Sequence, residues 1–309
     1  MTDSITFAVE CPVEQAIVRA LLYFEIFSYP LTSDEVFYFS DYRDAHAEDI
    51  TEKLENLVIQ GVAFHFDGYY QTQNKPEWIA RRLDCNQRAK SFLPLAHRMA
   101  RLIGSFPFIR GVMVSGSLSK HCMRADSDID FFIITEPGRL WLARTMLVVF
   151  KKVFLLNSHK YFCVNYFVDT EHLEIEEKNL FTATETVTLL PVYGKEWYHA
   201  FWTSNLWACE LLSHFPKRST DRVRNHSRGY LKKALEWLLR NKAGDWLDEK
   251  MMHITLSFWK KKFRHFESDR FDLALKSRRY VSKHHPMHFQ EMVLKTFARR
   301  LKEMNIQPG

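Results

Sequence analysis

Cysteine is scarce and scattered in this chain of 309 residues: Cys11, Cys85, Cys122, Cys163 and Cys209, with no CxxC pair among them. An odd, widely spaced set of five supplies neither a disulfide framework nor a zinc knuckle, and predicts a reducing compartment. Glycine and proline are sparse as well, ten of each, which excludes fibrous and low-complexity architectures. Long apolar runs are missing. The most apolar helical stretch, Leu140 to Leu156, is broken by Arg144, Lys151 and Lys152. It falls short of the roughly 20 apolar residues that cross a bilayer. The opening segment MTDSITFAVECPVEQ has acids where a signal peptide needs cations ahead of an apolar run. The expectation is a cytoplasmic protein with no membrane partner.

Core-forming material is plentiful. Hydrophobic residues make up 46% of the chain and aromatic residues 15%, with 25 Phe, so extensive disorder is excluded and a soluble globular protein of two or three domains is expected. The net charge of +6 hides a gradient. Residues 1–74 hold three basic side chains against 13 acidic ones, whereas residues 215–309 hold 23 basic against 10 acidic. Such asymmetry predicts separate segments with separate surfaces.

The first segment, 1–74, has the pattern of a winged helix. Val13, Ile17, Ala20, Leu21, Phe24 and Phe27 recur at helical spacing, and Pro30 forbids continuation. Thr32 followed three residues later by Glu35 matches a capping box, which starts a short helix over Ser33 to Phe39. A third helix, Glu48 to Gln60, stops at Gly61, and two short strands flank Asp67-Gly68, a strong hairpin signal. The helix that would enter a DNA groove carries Glu48, Asp49, Glu52 and Glu55 against Lys53 alone. DNA binding depends on neutralising phosphates, so the module is expected to bind protein or pack intramolecularly, and a DNA-binding regulator is the least favoured reading.

Residues 75–192 are expected to form a linking helix and a compact core, and 193–309 a basic helical domain. The C-terminal part has Trp197, Trp202 and Trp207 as packing anchors and the cationic runs Lys260 to Lys262 and Ser277 to Arg279. These runs are read first as solvated faces, then as sites for an anion or for docking the acidic N-terminal module. His284, His285 and His288 lie close together but lack a partnering Cys or acid pattern, so no metal role is assigned to them.

The chemistry-bearing signal sits in the middle. An apolar strand from Phe108 runs into Ser115-Gly116-Ser117, and ten further residues lead to Asp128-Ile129-Asp130 at the head of the strand IDFFIIT. Residues i and i+2 of a strand share a face, so the two carboxylates are expected to converge while Ile129 enters the core. Paired carboxylates suit Mg²⁺ (or Mn²⁺), and a glycine turn admits a phosphate to the backbone amides.

Gly-Ser, a ten-residue interval and Asp-x-Asp between two apolar strands resembles the nucleotidyltransferase superfamily that includes DNA polymerase β and the aminoglycoside nucleotidyltransferases. The string SGSLSKHCMRADSDIDFFIIT is similar to the small bacterial members, and the winged helix with Tyr29-Pro30-Leu31-Thr32 and the segment Gly138 to Arg144 resemble uncharacterised bacterial proteins carrying that domain. The resemblance implies an α+β fold: an N-terminal winged helix, a small mixed-sheet nucleotidyltransferase core and a C-terminal helical domain. It implies transfer of a nucleoside monophosphate from an NTP to an acceptor (small molecule, RNA or protein) with release of pyrophosphate. Asp128 and Asp130 would hold the metal, Gly116 and Ser117 would cradle the β/γ phosphates, and Lys120 and Arg124 would offset phosphate charge. The acceptor is expected in a cleft between this core and the basic C-terminal helices.

Active members add a third carboxylate from a later strand, and there this sequence has Asn165. Asn supplies a neutral oxygen ligand and no base, which leaves a second reading open: a non-catalytic nucleotide-binding scaffold or sensor. Asp169 shares the parity of Asn165 but lies roughly 13 Å further along a strand.

Overall fold

The computed structural model describes residues 11–155, 160–223, 229–264, 276–283 and 289–309. His284, His285 and His288 lie outside the described residues. The fold is α+β. A six-stranded mixed sheet has the order β6-β3-β4-β5-β8-β7, and a two-stranded antiparallel sheet stands apart from it.

The chain opens with three helices, α1 (Pro12–Glu25), α2 (Ser33–Phe39) and α3 (Ala47–Ile59), and the hairpin β1 (Phe64–Phe66) and β2 (Tyr69–Gln71). The expected capping box is present: the Thr32 hydroxyl accepts from the Glu35 amide, and the Glu35 carboxylate accepts from the Thr32 amide. The hairpin turns on Asp67 and Gly68, both at positive φ, which glycine supplies without strain. Leu31 adds a bridge to Tyr70, so the segment before α2 lies against the hairpin. The acids foreseen on α3 (Glu48, Asp49, Glu52 and Glu55) are all exposed, with Ile50, Leu54 and Leu57 turned inward.

The long helix α4 (Glu77–Gly104) connects this unit to the main sheet. Arg82 fastens the junction. Its guanidinium lies 3.6 Å from the centre of the Tyr29 ring, donates to the Pro30 carbonyl and pairs with Glu35 at 2.6 Å.

The main sheet begins with β3 (Ile109–Ser115) and, after the single turn α5 (Gly116–Ser119), the antiparallel β4 (Asp130–Thr135). Helix α6 (Leu140–Phe154) crosses to β5 (Cys163–Asp169), which runs parallel to β4. Helix α7 (Leu180–Thr188) leads to β6 (Leu190–Tyr193) on the other edge, followed by α8 (Lys195–Ser204) and α9 (Leu206–Leu211). Two helices, α10 (Tyr230–Leu239) and α11 (Lys242–Lys262), cover the outer side of α6 and the α4–β3 corner. The residues Val112, Val114, Phe131, Ile133, Trp141 and Phe167 form the centre of the main core.

The stretch 193–309 differs from the single helical unit that its sequence pattern suggests. Its strands β7 (Ser277–Arg278) and β8 (Val281–Lys283) complete the sheet beyond β5. Its last helix, α12 (Phe289–Glu303), joins the N-terminal unit, where Val293, Phe297, Leu301 and Ile306 share one core with Ile17, Leu21 and Phe24. The expected attraction between acidic and basic ends is a small part of that contact: Arg300 stands 3.6 Å from Glu25 and donates to the Leu22 carbonyl, Arg19 donates to the Gln307 carbonyl, and apolar packing accompanies these bonds. Periodicity identifies an amphipathic helix but not which distant face receives it, so this pairing is not legible locally. Among the described residues no helix is long and apolar enough to cross a membrane.

Candidate functional site

Three strand ends meet at the site. Ser115 closes β3 and faces Asp130, the first residue of β4, while Cys163 opens β5 on the other side of Asp130. Gly116 turns the chain with φ +66°, and a Cβ added there would stand 2.6 Å from Asp130 Oδ2. The carboxylate therefore rests on bare backbone, an approach that only glycine permits. Ser117 follows within α5, whose hydrogen bonds close the loop back: the amides of Lys120 and Cys122 both donate to the Ser117 carbonyl.

Ile129 is fully buried, as alternation requires, and Asp128 and Asp130 are part-exposed on either side of it. Strand pairing reaches one residue before Asp130, because the Ile129 amide donates to Lys160 and its carbonyl accepts from Cys163. Burial pushes the Asp130 carboxyl up to about 7; a hydrogen bond from Cys163 opposes this, and the charges of Asp128 and Glu185 add to it. Burial, then the charges of Asp130 and Asp128, push the Cys163 thiol up to about 12. That thiol stays protonated at neutral pH, which makes it a donor to the carboxylate rather than a nucleophile.

Asn165 is brought to the same point by a bulge. The ladder pairs Phe131 with Val164 and Phe132 with Tyr166, leaving Asn165 as the extra residue, and its Nδ2 donates to Asp130 Oδ1 at 3.1 Å. Asp169 lies at the far end of the strand. It is buried and accepts from the Glu171 and His172 amides, so it serves the following turn and not the site.

The two foreseen cations behave differently from each other. Lys120 Nζ donates to the Gly116 carbonyl at 3.0 Å and pairs with Glu185 at 2.7 Å, which holds the turn and neutralises that acid. Arg124 is exposed and directed at Asp126, 3.3 Å away. Within the basic stretch, α10 lies away from the site, whereas Arg218 reaches it. Glu236 of α10 bonds the Phe108 amide and Arg110, at the end of β3 that pairs with Thr135, roughly 20 Å along the strand from Asp130.

The site's actual neighbours come from elsewhere, and sequence reasoning missed them. Glu185 arrives on α7. Tyr29 of the N-terminal unit donates its hydroxyl to the Lys120 carbonyl at 2.6 Å. Arg218 donates to the Ser119 carbonyl at 3.2 Å, and its buried Nε has no hydrogen-bond partner. Lys151 of α6 lies near Asp128 and Cys163. None has a local sequence signal, because each is set by long-range packing.

The site's oxygen donors are of the kind that a hard divalent cation takes. Asp128 and Asp130 offer carboxylate oxygens and Asn165 an amide, whereas among the described residues no group of three His, Cys, Asp or Glu side chains is placed to hold a metal ion. Mg²⁺ is commonly bound by one or two carboxylates with phosphate oxygens and waters completing its octahedron, so two acids suffice when a nucleotide supplies the remainder. Comparison with known proteins adds no identity to this geometry: no family model, no curated protein and no solved structure matches the chain.

Proposed function

We propose that the chain is a Mg²⁺-dependent nucleotidyltransferase that moves a nucleoside monophosphate from an NTP to an acceptor, with pyrophosphate leaving. The observation that carries this reading is the Asp130 carboxylate lying on the glycine backbone at Gly116, beside Asp128. Nothing in an ordinary core calls for two acids crowded at a glycine turn, where burial and mutual repulsion raise their cost. A divalent cation and a triphosphate remove that cost together.

In this reading, Asp128 and Asp130 anchor the cation, Gly116 leaves room for the phosphates, and Ser117 offers its amide and hydroxyl to their outer end. Asn165 fixes the rotamer of Asp130, and the Lys120–Glu185 pair fixes the turn. Mg²⁺ bound there would offset the charge of the transferring phosphoryl group. The three-helix and hairpin unit is read as a winged helix that packs intramolecularly through Tyr29 and Arg82, and residues 75–192 as the linking helix and nucleotidyltransferase core.

Asn165 favours one further reading. An amide in place of a third acid leaves no base at that position, which suits a nucleotide-binding scaffold that does not turn over. Calorimetric titration of ATP, GTP, CTP and UTP with Mg²⁺ separates the outcomes. Metal-dependent binding that disappears in Asp128→Asn/Asp130→Asn supports the site and names the base, and pyrophosphate release then separates enzyme from scaffold. Absence of binding by folded wild type to all four contradicts both.

A further inference from the structure

Helix α10 turns its polar side inward. Lys232 is buried and donates to the carbonyls of Gly104 and Ile109 at 2.7 and 2.8 Å, and Glu236 is buried against Arg110 and the Phe108 amide. The opposite arc is apolar and faces solvent: Tyr230 is 93% exposed, Leu231 74%, Trp237 80% and Leu238 58%. At 3.6 residues per turn these four fall within one arc of about 120°. After Arg240 and Asn241 the chain continues into α11, where Trp246, Ile254 and Phe258 are exposed on one side. Large exposed apolar surfaces of this kind mark interaction sites.

The charges around this surface are mostly positive. Lys233, Lys242, Lys250 and the run Lys260 to Lys262 are exposed, while the exposed acids of the two helices are Glu249 and Asp245, the latter held by Arg139. We propose that α10 and α11 form a rigid docking face for an anionic lipid surface. Trp and Tyr prefer the headgroup boundary, Leu, Ile and Phe insert beneath it, and the lysines, Lys250 among them over the Trp246 ring, extend their ammonium groups to lipid phosphates. Pairing of two copies through this face would set like charges against each other, and a nucleic acid offers nothing for the aliphatic side chains. No helix among the described residues is long and apolar enough to cross a membrane, and the contact proposed is one at its surface. This departs from the expectation of no membrane partner, which rests on the lack of a long apolar run and of a signal-peptide pattern and so bears on spanning a membrane, not on lying against one.

The ion network beneath α10 makes the face a fixed platform, and it lies at the sheet end away from Asp130. The proposal does not depend on the nucleotidyltransferase reading.

Cosedimentation of the full chain with vesicles tests it. Phosphatidylcholine vesicles containing about 30% phosphatidylglycerol are compared with pure phosphatidylcholine at about 0.1 M salt. The expected result is at least about a tenfold larger bound fraction on the anionic vesicles, lost at high salt. Trp237→Glu/Trp246→Glu should abolish binding while leaving the thermal melt unchanged. Should that variant fold poorly, Lys260→Gln/Lys261→Gln/Lys262→Gln is expected to weaken binding with a normal melt. Absence of binding by folded wild type, or binding indifferent to both variants, overturns the proposal. So does a wild-type dimer that Trp237→Glu/Trp246→Glu converts to monomer, because the face is then an interface between proteins.

Discussion

At the scale of single residues, Asp130 is the group on which the account turns. Its carboxyl is raised to about 7 by burial and by neighbouring acids, so the folded chain binds its proton more tightly than the unfolded chain does. The stabilising contribution is therefore complete below the ordinary aspartate pKa and is lost as pH rises through about 7. Replacing the acid by an isosteric amide removes the loss. With chelator present, Asp130→Asn is expected to be more stable than wild type at pH 8 by about 1–3 kcal/mol and nearly equal to it at pH 4. Thermal melts at the two pH values check this, and a variant destabilised at pH 8 would contradict it. Gly116→Ala makes the complementary case. The added Cβ meets Asp130 Oδ2 at 2.6 Å in a backbone conformation that L-residues rarely adopt. It should cost about 1–2 kcal/mol and displace the carboxylate, with at least tenfold weaker Mg·NTP binding by calorimetry.

At the scale of elements, α10 is held to the sheet by charge more than by apolar contact. Glu236 bridges Arg110 and the Phe108 amide, and Arg110 and Arg240 both reach Glu136. Burial works against ionised Glu236 and Glu136, but the arginine bonds prevail and hold both carboxyls below their ordinary range. Their contribution has the opposite sign to that of Asp130: it is present above the unfolded carboxylate pKa and is lost as pH falls through the folded value. Glu236→Ala is expected to cost about 3 kcal/mol, measured by urea unfolding at pH 7, because it orphans a buried amide and half of the Arg110 partnership. Glu236→Gln, which keeps an acceptor for Phe108, should recover part of that. The local elements were legible in the sequence where the signal is local: Thr32 and Glu35 announce α2, Asp67-Gly68 announces the hairpin, and alternation around Ile129 announces β4. The inward polar side of α10 was not, because a helix with one apolar arc reads the same whichever arc is packed.

At the scale of the whole molecule, the candidate site lies between parts that are distant in sequence. Gly116, Asp128 and Asp130 follow from the local pattern of glycine turn and paired acids, and Asn165 only from the resemblance that expects a third acid on its strand. Glu185, Tyr29 and Arg218 come from other elements and become visible only after folding, as does the union of α12 with α1. The N-terminal unit is expected to use its surfaces accordingly. Tyr29 and Arg82 face the core, and the exposed side of α3 carries Glu48, Asp49, Glu52 and Glu55. A gel shift of the full chain with duplex DNA at low salt should show no complex involving α3. A complex weakened by Lys53→Ala, the one cation among those acids, would contradict that assignment.

The central claim is that Asp130, lying on Gly116 beside Asp128, takes part in holding a metal–nucleotide complex. Calorimetric titration of Mg·NTP into wild type at pH 6 and pH 8, in buffers of differing ionisation enthalpy, tests it most directly. Because Asp130 must give up its proton to bind the cation, the account predicts tighter binding at pH 8, proton release at pH 6, and loss of both effects in Asp130→Asn. Binding of equal strength at the two pH values, with no proton released and no dependence on Asp130, would contradict it.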